Sequence, residues 1–338
     1  MKNNMLSLVC GWLLIVGLSA CDKNGKTETS TTAPSAATEA PAVNVPSFNA
    51  DSAFQFVVKQ VEFGPRVPNT QAHRAAGDYL IEKLKSYGGN VLVQSFKAKA
   101  YNGTMLNLRN IMGQFNPKAS KRILLAAHWD TRHVADKDEQ NPNQPIDGAN
   151  DGASGVAVLL EIARQLQADP LQGDVGVDIM FFDGEDYGQP DSSEDPYQPD
   201  SWCLGSQYWG QNLMPQGYRA NYGILLDMVG AKNSRFFREE TSRMYARDVV
   251  DKVWRAANQL GYSDYFVPQN SPGITDDHTY VIQHTNIRMI DIIAHDPSSP
   301  DGYFGPYHHR HTDNIDIIDK NTLKAVGQTV LRVVYSEQ

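Results

Sequence analysis

The residues able to do chemistry come in a fixed order along the chain. His128 and Asp130 come first. Asp147, Asn150 and Asp151 follow, within Gly148-Ala149-Asn150-Asp151-Gly152-Ala153-Ser154-Gly155. Then come Asp183, Glu185 and Asp186, then Asp227, then Asp276-Asp277-His278, and last Tyr307-His308-His309-Arg310-His311-Thr312-Asp313. An imidazole and several carboxylates converging on one crevice suit a divalent cation of zinc type. Carboxylates brought together without a partner repel one another, and a bound cation resolves that repulsion. A carboxylate beside the ions' ligands could then serve as general acid and base.

Taken singly, each piece has a plainer explanation. His128 could be a loop histidine, Asp151 an N-cap for the helix after it, Glu185-Asp186 a solvated loop, and the C-terminal histidines surface residues. Asp227 is harder to dismiss, because it ends the apolar run Ile224-Leu225-Leu226 and needs a partner there.

The elements that must position these groups are legible in the patterning. Residues 69–87 have helical periodicity and stop at Gly88-Gly89. Residues 91–96 and 106–114 read as strands. Residues 122–127 form a short, continuously apolar run, as expected for a strand buried on both faces. Residues 155–167 form an amphipathic helix, 175–182, 223–226 and 288–293 are strands, and 242–260 is a helix closed by Gly261. Alternating strands and helices predict an α/β fold of three layers, αβα, around a mostly parallel mixed sheet. In such sheets the ligand crevice lies beyond the carboxyl ends of the strands, where the polar residues above are placed.

The 338 residues carry 30 Lys+Arg against 39 Asp+Glu, a net charge of -9, which argues against non-specific nucleic-acid binding. Charged residues make up 20% and hydrophobic ones 41%, an ordinary globular mixture. There is no internal repeat. No apolar run of about 18 or more residues follows the first twenty.

The order His-x-Asp, Gly-Ala-x-Asp-x-x-Ser-Gly, Phe-Phe-Asp-Gly-Glu-Asp, Leu-Asp and His-Thr resembles the bacterial zinc aminopeptidase family, over residues 51–338. That family includes the animal-type glutaminyl-peptide cyclotransferases. Asp183-Gly184-Glu185-Asp186-Tyr187 with the insertion reaching Trp202-Cys203, Leu226-Asp227-Met228-Val229-Gly230, and Asp276-Asp277-His278 are similar to the cyclases. The resemblance implies a zinc-exopeptidase-like fold and closure of N-terminal glutamine to pyroglutamate, with peptides and proteins beginning in Gln as substrates. It implies one catalytic zinc on Asp151, Asp186 and His311, with Glu185 as acid/base and Asp227 and Asp276 hydrogen-bonded nearby. His311 is preferred to His308 and His309 because Thr312 follows it. His128 matches a ligand of a second metal in the di-zinc aminopeptidases, so a peptidase with two zinc ions is the alternative. A non-catalytic binding lipoprotein is a third reading. Asp186 stands where most of the family has Glu. Arg310 stands where animal cyclases place a pocket Trp, and Trp202, Tyr303 or Phe304 is expected to supply that wall.

The N-terminal region reads as an address. Residues 1–20 resemble a signal peptide, and Leu18-Ser19-Ala20-Cys21 resembles a bacterial lipobox with Cys21 as the lipidated residue. Residues 21–46 are rich in Thr, Ser, Ala, Pro and Glu and read as a flexible tether with a reach of roughly 25–30 Å. The single catalytic domain is expected over 47–338. These features imply an exported bacterial lipoprotein, anchored to a membrane and facing the periplasm or cell surface. The domain is expected to be monomeric. Cys203 is left alone in it, more in keeping with a buried, inert thiol than a reactive one.

Overall fold

In the computed structural model, residues 44–299 and 301–338 are described. The expected signal peptide, Cys21 and the tether up to residue 43 lie outside the described residues.

Two helices lead, α1 (Ala50–Val61) and α2 (Gln71–Ser86). A hairpin follows, β1 (Asn90–Lys99) and β2 (Met105–Phe115). Next come β3 (Lys121–His128), α3 (Ala153–Ala168), β4 (Val175–Phe182), α4 (Leu204–Gln211) and β5 (Tyr222–Asp227). The chain continues with β6 (Phe236–Arg238), α5 (Glu240–Gln259), β7 (Phe266–Asn270), α6 (Asp277–Thr285), β8 (Met289–Ile293) and α7 (Lys320–Tyr335). Six strands form one mixed sheet in the order β1-β2-β4-β3-β5-β8, and β6 with β7 forms a separate pair. The hairpin is antiparallel and joins β4 antiparallel, while β4, β3, β5 and β8 run parallel.

Strand β3 shows why residues 123–127 are continuously apolar. Ile123, Leu125 and Ala127 face one core with α1, α2, α3, α5 and α7. Leu124 and Ala126 face a second core with Trp209 of α4 and Val281 of α6. Period-two alternation in a strand covered on both sides leaves no polar face. The αβα architecture expected from the sequence is the one observed. Helices α1, α4, α6 and α7 and the β6–β7 pair were not among the expected elements.

Parallel pairing of β3 with β4 and with β5 sets their carboxyl ends side by side, and α3 packs closely on β5 beside them. A Cβ on Gly155 would stand 2.1 Å from the Leu226 carbonyl oxygen. Helix and strand therefore touch backbone to backbone at the turn of α3 nearest Asp151. Gly155→Ala is expected to cost about 1–3 kcal/mol of folding free energy through overpacking. Urea unfolding of the two chains checks this, and an unchanged midpoint would show that the crossing has room for a methyl group.

Candidate active site

His128 ends β3, and its Nε2 lies 3.1 Å from both Asp151 Oδ1 and Asp227 Oδ1. Asp227 ends β5. Asp151 precedes α3, whose N-cap is Gly152 with φ +92° and no side-chain cap bond. The Asp151 carboxylate is therefore not spent as a helix cap. A Cβ on Gly152 would lie 2.6 Å from the Asp130 carbonyl, so glycine is required there for both space and backbone conformation.

The loop bearing Asp151 is held on all sides. The Asp313 carboxylate accepts the Asn150 and Asp151 amides at 2.7 and 2.9 Å. Asn150 Oδ1 accepts the Gly230 and Ala231 amides at 2.8 and 2.9 Å. Arg66, fully buried, donates to the Asp147 and Gly148 carbonyls, both at 2.7 Å. Sequence reading assigned no role to Arg66 or Asp313; their partners are backbone groups distant in the chain, which leave no local pattern.

Asp130 sets the end of β4. Its two oxygens accept the amides of Glu185 and Asp186, both at 3.1 Å. Asp186 is 1% exposed, and neither of its carboxylate oxygens has a hydrogen bond. Burial and the neighbouring Asp151 push its pKa well above the usual carboxylate value. Asp186 Oδ1 faces His309 Nε2 at 3.5 Å. Asp151, His308 and His309 can bring ligand atoms within 4.8 Å of one another. Lys137 Nζ donates to His308 Nδ1 at 2.9 Å, whereas His309 turns its Nε2 to Asp186, which makes His309 the better-placed imidazole. Burial and the nearby Arg132 lower the His309 pKa below the usual imidazole value, favouring the neutral form that binds metals. Two buried carboxylates and a neutral imidazole fit a divalent cation of zinc type.

His311 does not join this cluster. It is exposed, with Nδ1 2.5 Å from Asp138 Oδ2. His309 has φ +57°, and the turn there places His309 and Asp313 inward and His311 outward. The Thr312 that pointed to His311 is no guide to this backbone reversal.

Glu185 Oε1 accepts the Cys203 thiol at 3.4 Å, and Glu185, Cys203 and Asp276 form one cluster. Burial, together with Asp276, Asp186 and Asp277, raises the Glu185 pKa well above its usual value despite His128. Burial, Asp151 and Asp276 lift Asp227 to about 7, again against His128. Burial disfavours charge on His128 itself, but Asp130, Asp151 and Asp227 outweigh it and raise its pKa well above the usual imidazole value. Asp276 caps α6, accepting the Asp277 amide at 2.5 Å, and its other oxygen has no partner. Cys203 is fully buried and free, and burial with Glu185 pushes its thiol pKa up.

A cavity of about 350 Å³ opens over these groups, with Glu185, Asp186, Asp227 and Asp276 in its lining and Trp202 and Phe304 in its walls. Tyr303 is not in the lining. Its hydroxyl donates to the Pro272 carbonyl at 3.2 Å, and its ring packs on His295 and behind Phe304.

Residues 110–334 match the model of peptidase family M28. The chain belongs to that family. Solved structures similar to this M28 chain include a Zn-dependent exopeptidase from Parabacteroides distasonis, 53% identical with a TM-score of 0.84, over 86% of this chain and 99% of that one. A Bacteroides thetaiotaomicron glutaminyl cyclase bound to N-acetylhistamine is 52% identical with a TM-score of 0.84, over 87% of this chain and 100% of that one. The Drosophila melanogaster glutaminyl-peptide cyclotransferase is 27% identical over 279 residues, 76% of this chain and 73% of the relative.

The placement of the two histidines predicts that His309→Ala loses zinc binding while His311→Ala retains it. Metal analysis after dialysis against zinc checks this, and the reverse pattern would return the ligand role to His311.

Proposed function

We propose that this M28 chain is a glutaminyl-peptide cyclotransferase that closes the N-terminal glutamine of peptides and proteins to pyroglutamate and releases ammonia. The observation that carries this reading is the 52% identity to the Bacteroides thetaiotaomicron glutaminyl cyclase across 87% of the chain. The ligands in this proposal are Asp151, Asp186 and His309. A single zinc held there would supply Lewis-acid polarisation for the glutamine γ-carbonyl.

The protein groups account for the rest of the reaction. The substrate α-amine must lose a proton as it attacks the γ-carbon, and the γ-amide nitrogen must gain one to leave as ammonia. Glu185 is placed to accept the first proton and return it to the nitrogen. Its raised pKa suits both halves of that transfer, since an ordinary carboxylate is too weak a base for the ammonium group and would not hold the proton. Burial and the neighbouring Asp276 favour the protonated state of Glu185 that the reaction passes through, and Asp227 lies in the same cavity. Trp202 and Phe304 wall the cavity and limit the water that would divert the reaction to hydrolysis.

A second reading is a di-zinc aminopeptidase. His128, Asp151 and Asp227 can bring ligand atoms within 4.8 Å of one another and could hold a second ion. The two readings differ in product and in metal stoichiometry.

Mass spectrometry of a Gln-initiated peptide is expected to show a product lighter by one ammonia, with one zinc per chain. Glu185→Gln is expected to keep the zinc and lose about 10²–10⁴-fold in kcat. Free N-terminal glutamine as product, with two zinc ions, would replace the cyclase reading by the peptidase one.

The lipobox-like Leu18-Ser19-Ala20-Cys21 supports export and lipid anchoring at Cys21. In a bacterial host, Cys21→Ser is expected to move the protein from the membrane fraction to the soluble one. Membrane retention of that variant would remove the lipid from the proposal.

A further inference from the structure

Arg132 does not line the cavity, yet it touches three of its parts. It is fully buried. Nε and Nη2 grip the two oxygens of Asp136 at 3.0 and 3.1 Å. Asp136 Oδ1 in turn faces His309 Nδ1 at 3.4 Å, on the side of the ring away from Asp186. Nη1 donates to the Asp186 carbonyl at 3.1 Å and to the Gly188 carbonyl at 2.9 Å, and lies 3.8 Å from Asp186 Oδ1. The guanidinium carbon sits 4.4 Å from the centroid of the Trp202 ring. That ring stacks on His309 with centroids 5.6 Å apart and planes within 9°. A Cβ on Gly188 would fall 1.9 Å from the indole, so Trp202 lies directly on the backbone that Arg132 holds.

These contacts reach two segments far apart in sequence. Asp186 comes from the end of β4 and His309 from the C-terminal turn, and no backbone bond between the two is needed if one rigid group meets both. A planar guanidinium can do so, because its donors point in fixed directions and its face remains free to stack. An ammonium offers neither the fork nor the face.

We propose that Arg132 is a positioning residue that sets His309, through Asp136, against Asp186 for metal binding and at the same time fixes Trp202 as the wall of the substrate cavity. This rests on the zinc-dependent cyclase reading above. It predicts that metal affinity and substrate affinity are coupled through a residue that contacts neither ligand.

The test is chelator competition for zinc on the full chain, with steady-state kinetics on a Gln-initiated peptide. Arg132→Lys keeps the charge and loses the fork. It is expected to weaken zinc binding about 10–100-fold, as orienting partners of metal ligands do, and to raise KM. Asp136→Asn is expected to weaken zinc binding without the rise in KM. Trp202→Leu is expected to raise KM with zinc binding unchanged. Arg122→Lys is the control for general destabilisation. Arg122 pairs with buried Asp178 at 2.6 Å near the start of β3, away from the cavity, and should lower stability without moving zinc affinity. Arg132→Lys with wild-type zinc affinity would overturn the proposal, as would an equal loss in Arg122→Lys. If Arg132→Lys does not fold, Asp136→Asn carries the test, and unchanged zinc affinity there also overturns it. A wild-type chain that binds no zinc would instead remove the metal reading beneath it.

Discussion

Negative charge confined at low dielectric is the constraint on which the rest of this structure depends. Asp151, Glu185, Asp186, Asp227, Asp276 and Asp291 are all buried or nearly so around one crevice. Isolated carboxylates in such surroundings are costly by several kcal/mol each unless protonated, paired or bound to a cation. The described residues answer this in three ways. His128 lies between Asp151 and Asp227, which favour its charged form against burial. Asp227, Asp291 and Glu185 have their pKa values raised, so that protons are retained. Asp186, also raised and with neither oxygen hydrogen-bonded, faces His309 and is the carboxylate that the proposed zinc would neutralise. The same crowding that makes the crevice expensive to fold makes it able to bind a metal and to hold a proton near neutral pH.

Such a site requires a rigid frame, because like charges relax apart when the backbone is free to move. The frame is built mainly from backbone hydrogen bonds to buried polar side chains. Asp130 holds the amides of Glu185 and Asp186, and Asp313 holds those of Asn150 and Asp151. Arg66 takes the carbonyls of the second loop. Each carboxylate in the frame accepts two amides, so it is stabilised by the chain it organises. Burial and Asp151 nonetheless lift Asp313 to about 7, against those amide bonds and Arg66. The frame is therefore electrostatically tied to the Asp151 loop that it supports.

What the sequence makes legible follows from which interactions are local. Strand β3 could be read because burial on both faces demands a continuous apolar run, and the expected strand 175–182 matches β4 although buried Asp178 interrupts its apolar residues. Asp151, Glu185, Asp186 and Asp227 could be picked out because strand ends in a parallel sheet point at a common crevice, whereas Asp276 was legible only through the resemblance of Asp276-Asp277-His278 to the cyclases. The choice among His308, His309 and His311 could not be made this way. It depends on a positive φ at a non-glycine residue, which tertiary contacts impose and composition does not announce. Tyr303 and Phe304 were inseparable as aromatics, and the hydrogen bonds of the Tyr303 hydroxyl with Pro272 and Ser271 show which ring turns away from the cavity. Helix α7 sits in the core shared by α1 and α3, yet was not among the expected elements.

The shorter ligand at position 186 makes sense in this light. An aspartate reaches less far than a glutamate, so the strand end or its surroundings must bring the carboxylate to the proposed zinc position. Adjacent residues on an extended chain point to opposite sides, yet Glu185 and Asp186 both line the one cavity. Gly184, with φ +73°, breaks the extended path just before them, and a Cβ there would meet Leu108 at 2.8 Å. Asp130 then receives both amides on one carboxylate, turning the pair as a unit toward the crevice. Beyond them, Arg132 draws in the carbonyls of Asp186 and Gly188. The reach that the side chain lacks is supplied by backbone curvature, and the groups that impose the curvature are charged residues of the segment following β3. Function at the end of β4 is in this sense determined by β3 and its loop, which explains why the His128-x-Asp130 pair precedes a site whose reacting carboxylate comes 57 residues later in the chain, at Glu185 (185 − 128).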